Sequence, residues 1–182
     1  MIAGSPLSAF RAALGTLPAA GAGALVLGRA GVGKSALLVH VGLGSLLAGE
    51  QVLHVSLRET VDHTRTHYDE ILRASSSGPR DAAVLAERGR TILSLAAKPW
   101  DPALVERHLE LLAGAAAFRP RLVVVDGFGS VEEVTEAWPA LLRLGREHGC
   151  AVWAGARGEG RCVVPEVTVV RLVPDGRIVR IV

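Results

Sequence analysis

The sequence predicts an α/β fold, a mostly parallel sheet flanked by helices with a C-terminal β-hairpin, and three observations lead there. Short apolar runs alternate with helix-patterned stretches along the 182 residues, the order expected of parallel strands joined by helical crossovers. One run, Arg121-Leu-Val-Val-Val-Asp126, is apolar without alternation, as a central strand buried on both faces must be. A glycine-rich segment, Gly28-Arg29-Ala30-Gly31-Val32-Gly33-Lys34-Ser35, joins the first apolar run to the most apolar helix.

One such series of elements fills one core, so a single domain spanning residues 1–182 is expected. Hydrophobic residues at 49% and charged residues at 21% argue against a largely disordered chain, and aromatics at only 4% leave the core to Ala, Leu and Val. Twenty basic against 18 acidic residues give a formal net charge of +2, too small an excess to hold nucleic acid or an anionic membrane, and neither is expected as a partner. Cys150 and Cys162 have neither metal nor redox spacing, which suits a reducing cytoplasm without a structural disulfide. Residues 1–10 carry neither a basic leader nor a long apolar run, so no secretory signal is expected. The most apolar stretch, Ser35 to Gly49, is about a turn too short to span a membrane and reads as a buried helix.

In chain order, Pro6 to Leu17 carries Leu7, Phe10, Leu14 and Leu17 at helical spacing, with Ser5 as N-cap. Gly15, Pro18, Gly21 and Gly23 then lead into the first strand, Ala24 to Leu27. After the Ser35 helix, the Gly49-Glu50 turn opens a second strand, Gln51 to Leu57. A polar helix follows over Thr60 to Ala74, with Val61, Tyr68, Ile71 and Leu72 inward. Ser75 to Pro79 reads as a surface loop, Asp81 to Arg88 as a short helix and Thr91 to Leu95 as a strand. Asp101 caps a helix that starts on Pro102 and runs to about Phe118. Beyond the Arg121–Asp126 strand, a helix over Val131 to His148 is expected to be interrupted by Pro139 and Gly145, and it leads to a strand over Cys150 to Ala154. Glu166 to Val173 and Arg177 to Val182, around Pro174-Asp175-Gly176, form the hairpin.

The segment from Gly28 to Ser35 fits GxxxxGKS, and its composition has a chemical reason. Glycines let successive backbone N–H groups turn toward one anion, Lys34 reaches outer phosphates, and the Ser35 hydroxyl ligates Mg²⁺. Gly28, Arg29, Ala30, Gly31, Val32, Gly33, Lys34 and Ser35 are therefore the expected nucleotide-binding residues, placed between a buried strand and a helix N-terminus as phosphate binding requires. The second requirement is an acid at the end of another buried strand, and Asp126 supplies it, so Ser35 and Asp126 form the expected metal site. Glu59, just past the second strand, either orients the attacking water beside Lys34 or complements the dipole of the helix behind it. His63 and His67 share a helix face at metal-ligand spacing, but with no third ligand evident they read, like His108 and His148, as a solvated surface. His40 reads as a satisfied core residue. Arg29 and Arg11 face either the nucleotide or solvent.

With these residues in place, the chain resembles the RecA-like P-loop ATPases of the KaiC and RadA type. The resemblance is carried by Gly28 to Thr60 (GRAGVGKSALLVHVGLGSLLAGEQVLHVSLRET), by RLVVVDGFGS from Arg121, by AVWAGAR, and by the final VVRLVPDGRIVRIV. It implies a RecA-like P-loop NTPase fold, ATP and Mg²⁺ as cofactors, and catalysis by Glu59 with Lys34. It also implies that the strand after Asp126 is inserted beside the Gly28-loop strand. Where relatives carry an acidic pair after the second strand, this chain reads Arg58-Glu59; Arg58 would pair with Asp126 or with phosphate and cannot act as a base. Arg157 or Arg161 would serve a neighbouring subunit's site in a side-by-side homo-oligomer, or is simply solvated.

The function this implies is ATP binding with weak or regulated Mg-dependent hydrolysis. A non-catalytic, nucleotide-responsive module docking a protein partner is the first alternative. A small GTPase is the second: Asp126-Gly-Phe-Gly129 matches DxxG, but Ala154-Gly-Ala-Arg157 stands where a guanine-reading motif would be needed. DNA recombination has neither basic excess nor room for DNA-binding loops.

Overall fold

The computed structural model describes residues 18–74, 81–96, 98–159, 162, 164, 166–173 and, for the backbone alone, 178–181. The expected helix over Pro6 to Leu17, the Ser75–Pro79 loop, the hairpin turn at 174–176, Arg11 and Arg161 lie outside them.

The elements alternate as the sequence implies: β1 Gly23–Gly28, α1 Lys34–Leu47, β2 Val52–Ser56, α2 Val61–Ala74, α3 Ala82–Gly89, β3 Arg90–Ser94, α4 Pro102–Ala116, β4 Leu122–Phe128, α5 Val131–Glu147, β5 Ala151–Arg157, β6 Val167–Leu172 and β7 Ile178–Ile181. They build one seven-stranded sheet in the order β3-β2-β4-β5-β1-β6-β7. Every pairing is parallel except β6 with β7, which is antiparallel. The strand after Asp126, β5, does lie between β4 and β1, pairing Val125 with Ala154 on one side and Leu25 with Ala154 on the other.

Side-chain alternation divides the interior. Ala24, Val26, Val52, Leu122, Val124 and Trp153 face α1, α2 and α3, whereas Leu25, Leu27, Leu53, Val55, Val123 and Val125 face α4 and α5. Fully buried Trp138 of α5 fills the second layer, and it does so because β1 begins on glycine: a Cβ at Gly23 would lie 2.6 Å from the indole. At α4, Asp101 accepts the Leu104 N–H at 3.2 Å and Pro102 occupies the first turn, as anticipated.

The interruption expected in the Val131–His148 helix does not occur. Pro139 is exposed, so the carbonyl of Thr135 that loses its partner there can turn to water, and α5 continues through it. Gly145 is a packing residue rather than a break, because a Cβ would meet the Cys150 carbonyl and Val152, both at 3.0 Å. Both cysteines are free and buried, and burial lifts the Cys150 thiol to about 11. Among the described residues no helix is long and apolar enough to cross a membrane.

Candidate functional site

The site is built where β1, β4 and β5 end. β1 runs out at Gly28, whose missing side chain is required by packing: a Cβ would press on Val32 at 2.7 Å and on the Leu172 carbonyl at 3.0 Å. Gly31 and Gly33 are glycines for a different reason. Nothing lies within 4 Å of a Cβ at either, but their φ values of 79° and 94° are left-handed. Gly33 is the N-cap of α1, with no side chain over the first helical N–H groups, so the helix begins with open donors at the loop.

Lys34 folds back across the loop, donating its ammonium to the Arg29 carbonyl at 2.6 Å. Desolvation lowers its pKa, opposed by the Asp126 charge and reinforced by Arg157. Asp126 stands half-buried near the end of β4 and accepts a hydrogen bond from the Ser35 hydroxyl. Burial raises its pKa, against the lowering effects of Ser35 and Lys34, while the charge of Glu59 adds to the rise. The sequence-predicted Lys34, Ser35 and Asp126 therefore meet in space, across 92 positions of sequence between Lys34 and Asp126.

What makes room for this meeting is Gly155, a residue the sequence reading passed over. In β5 it is registered beside both Val26 and Asp126, and a Cβ there would lie 2.7 Å from Leu38 of α1 and 2.9 Å from the Asp126 carboxylate. A glycine inside a strand pattern is itself a signal of close approach.

Arg58 pairs with neither Asp126 nor the loop; its Nε donates to the carbonyl of Gly127, the next residue, at 2.7 Å. Gly127 has φ 109°, at an irregularity in the β4–β5 register, which turns that carbonyl toward β2. Arg29 turns its side chain to Glu159 at 2.8 Å, leaving its carbonyl to Lys34. Arg157 is exposed and registered opposite Gly28, and its charge is felt at Lys34. Glu59 is half-exposed just before α2, with its carboxylate 3.9 Å from His63 Nε2. His40 is half-buried rather than enclosed in the core, its pKa lowered by desolvation and by His67.

Among the described residues no three His, Cys, Asp or Glu side chains gather as a metal cage. Mg²⁺ does not call for one, since it keeps waters and takes one or two protein ligands beside substrate phosphates. A serine hydroxyl hydrogen-bonded to one carboxylate is a donor set of that kind, and it fits.

A second polar cluster escaped the sequence reading. His54 of β2 is fully buried, its Nδ1 3.1 Å from the Tyr68 hydroxyl, and desolvation pushes its pKa down to about 3. Tyr68, raised in pKa by its own burial, nests over Gly42 of α1. Arg90 stacks 5.0 Å from the Tyr68 ring and pairs with Asp69 and Glu87 at 3.3 and 2.8 Å.

The architecture is a Rossmann-like α/β fold, a mostly parallel sheet with helices on both faces. No protein-family model matches the chain, and no curated protein proves similar to it.

Proposed function

We propose that this chain is a RecA-like P-loop protein of the KaiC and RadA type that binds Mg·ATP and hydrolyses it weakly or under regulation. The observation that carries the reading is the convergence of Lys34, Ser35 and Asp126 at the mouth of a left-handed glycine loop. Fold alone would not carry it, since α/β sheets host many functions.

In this reading the amides of residues 28–33 hold the phosphates, and Lys34 exchanges the Arg29 carbonyl for an outer phosphate oxygen. Ser35 and Asp126 would hold Mg²⁺, which when bound neutralises charge on the phosphoryl oxygens. Asp126 must be ionised for this; its neighbours Ser35 and Lys34 oppose the effect of burial. Glu59 is the acid available to orient water, and its charge is felt at Asp126. The position of β5 between β4 and β1 favours the RecA-like frame over a small GTPase.

A second reading, a nucleotide-responsive module that does not turn over, is favoured by one observation: Arg58, at the position where the resemblance implies an acid, binds the Gly127 carbonyl instead. Affinity for ATP and GTP, multiple turnover, and particle size with and without nucleotide, measured on wild type, Lys34→Ala and Glu59→Ala, separate the two. ATP binding lost in Lys34→Ala, with turnover lost in both variants, is the expected result. Binding without turnover in wild type selects the module, and a clear preference for GTP overturns the ATP assignment.

A further inference from the structure

On the face of the sheet opposite α1 lies a cleft of about 750 Å³, within the size range of small-molecule sites. It opens between the segment after β2, the β3–α4 connection, the end of β4 and one side of α5. Its apolar wall includes Trp100, Leu57, Pro99 and Pro102, and the buried ring of Phe128 backs Trp100 edge to face with centroids 5.7 Å apart. Its polar groups are unevenly matched. Arg58 has spent only its Nε, on the Gly127 carbonyl, and neither Arg58 nor Lys98 is ion-paired among the described residues. The Trp100 indole N–H is buried and has no partner there. An unsatisfied buried donor destabilises the free protein, and a ligand acceptor within its reach would relieve that cost.

The acids restrict the ligand's charge. Glu133 also lines the cleft, but one of its carboxylate oxygens already accepts the Gly129 N–H at 2.6 Å, and Glu136 adds a second negative charge. Two cations against two carboxylates leave the lining without the positive excess that would hold a polyphosphate, so one carboxylate shared by the two cations is the smaller demand. The donors call for acceptor atoms, and the rings call for a flat apolar body.

We infer that the cleft bounded by Arg58, Lys98, Trp100 and Phe128 is a binding site for a small aryl carboxylate, with the carboxylate on Arg58 and Lys98 and the ring against Trp100 and Phe128. The site lies across the sheet from the glycine loop and does not depend on nucleotide binding. It touches that region at one point, because the arginine that faces the cleft also holds the peptide next to Asp126.

The chain has three tryptophans, and Trp138 and Trp153 are buried elsewhere, so ¹⁵N-labelled full chain gives one indole resonance that reports on the cleft. It is titrated with phenylacetate, acetate, 2-phenylethanol and phenyl phosphate, with Trp100→Phe assigning the resonance. Phenylacetate is expected to shift the Trp100 signal saturably, leaving the other two in place. Acetate and 2-phenylethanol, each lacking half of the ligand, should bind at least about tenfold more weakly. Lys98→Gln, at an exposed position that does not threaten folding, should weaken phenylacetate about tenfold, and Arg58→Gln should do so at least as much. Absence of saturation, equal binding of the alcohol, or an unchanged affinity in Lys98→Gln overturns the site. Tighter binding of phenyl phosphate overturns the carboxylate assignment.

Discussion

The His54 cluster and the Asp126 cluster both bury ionisable groups on the α1 side of the sheet, yet they are completed in opposite ways. Around His54 the polar atoms are turned on one another: imidazole to phenol, phenol beneath guanidinium, guanidinium to two carboxylates at the rim. Around Asp126 the contacts are provisional. Lys34 rests on a backbone carbonyl, Ser35 on one carboxylate, and the loop beside them presents glycines with nothing above them. A closed polar cluster contributes to stability and to a unique packing, whereas an open one holds unspent interactions that a ligand can take up. Truncation in the first should therefore change stability and leave binding alone, and truncation in the second should do the reverse.

The largest effect is expected at Tyr68. It is fully buried, and Tyr68→Ala removes an aromatic side chain from between α1 and β2 while stranding His54. A loss of about 3–5 kcal/mol is expected, measured by denaturant unfolding. By contrast Lys34→Ala should shift stability by no more than about 1 kcal/mol, because this side chain is only half-buried, yet weaken triphosphate binding at least about a hundredfold. If Lys34→Ala unfolds the protein, or Tyr68→Ala spares stability but abolishes binding, the division between closed and open clusters is wrong.

Gly155→Ala tests the boundary between them, since it adds one methyl group to the open cluster. That methyl would sit 2.9 Å from the Asp126 carboxylate and 2.7 Å from Leu38, so it should cost about 1–3 kcal/mol by overpacking. It should also move the carboxylate off Ser35, and so weaken Mg-dependent more than Mg-independent nucleotide binding. Equal losses with and without Mg²⁺ would mean that the strain stays in the core and never reaches Asp126.

The open cluster was the more legible of the two in the sequence, for a physical reason. Its loop is local, eight consecutive residues that match the spacing of a phosphate loop, and Asp126 closes a run of valines that only a central strand tolerates. The insertion of β5 beside β1 followed from resemblance and is found in the sheet. The partner of Arg58 could not be read, because it depends on the left-handed turn at Gly127 rather than on charge. His54 looked like one more position in an apolar strand, since its significance lies in Tyr68 fourteen residues on and in Arg90 on the next strand. The continuity of α5 was missed because propensity at Pro139 is a local rule, outweighed here by a well-buried helix face.

The response to pH separates the clusters by sign. His54 has a folded pKa near 3 against 6.5 in the unfolded chain, so between these values the unfolded state takes up a proton that the native state refuses. Its contribution is intact above about pH 6.5 and is lost as pH falls toward 3, with a slope of at most about 1.4 kcal/mol per pH unit. Asp126 works the other way. Its folded pKa is raised, so the stability linked to it is present below the unfolded carboxylate pKa and is lost as pH rises through the folded value. The two contributions have opposite signs, and a wild-type profile alone mixes them. His54→Gln keeps a polar group for the Tyr68 hydroxyl but cannot charge, so its stability should fall less than that of wild type between pH 7 and 5. Asp126→Asn removes the contribution of opposite sign, so where its profile departs from that of wild type it should fall more steeply on acidification, and parallel profiles for all three proteins would show that neither burial is felt as a proton linkage.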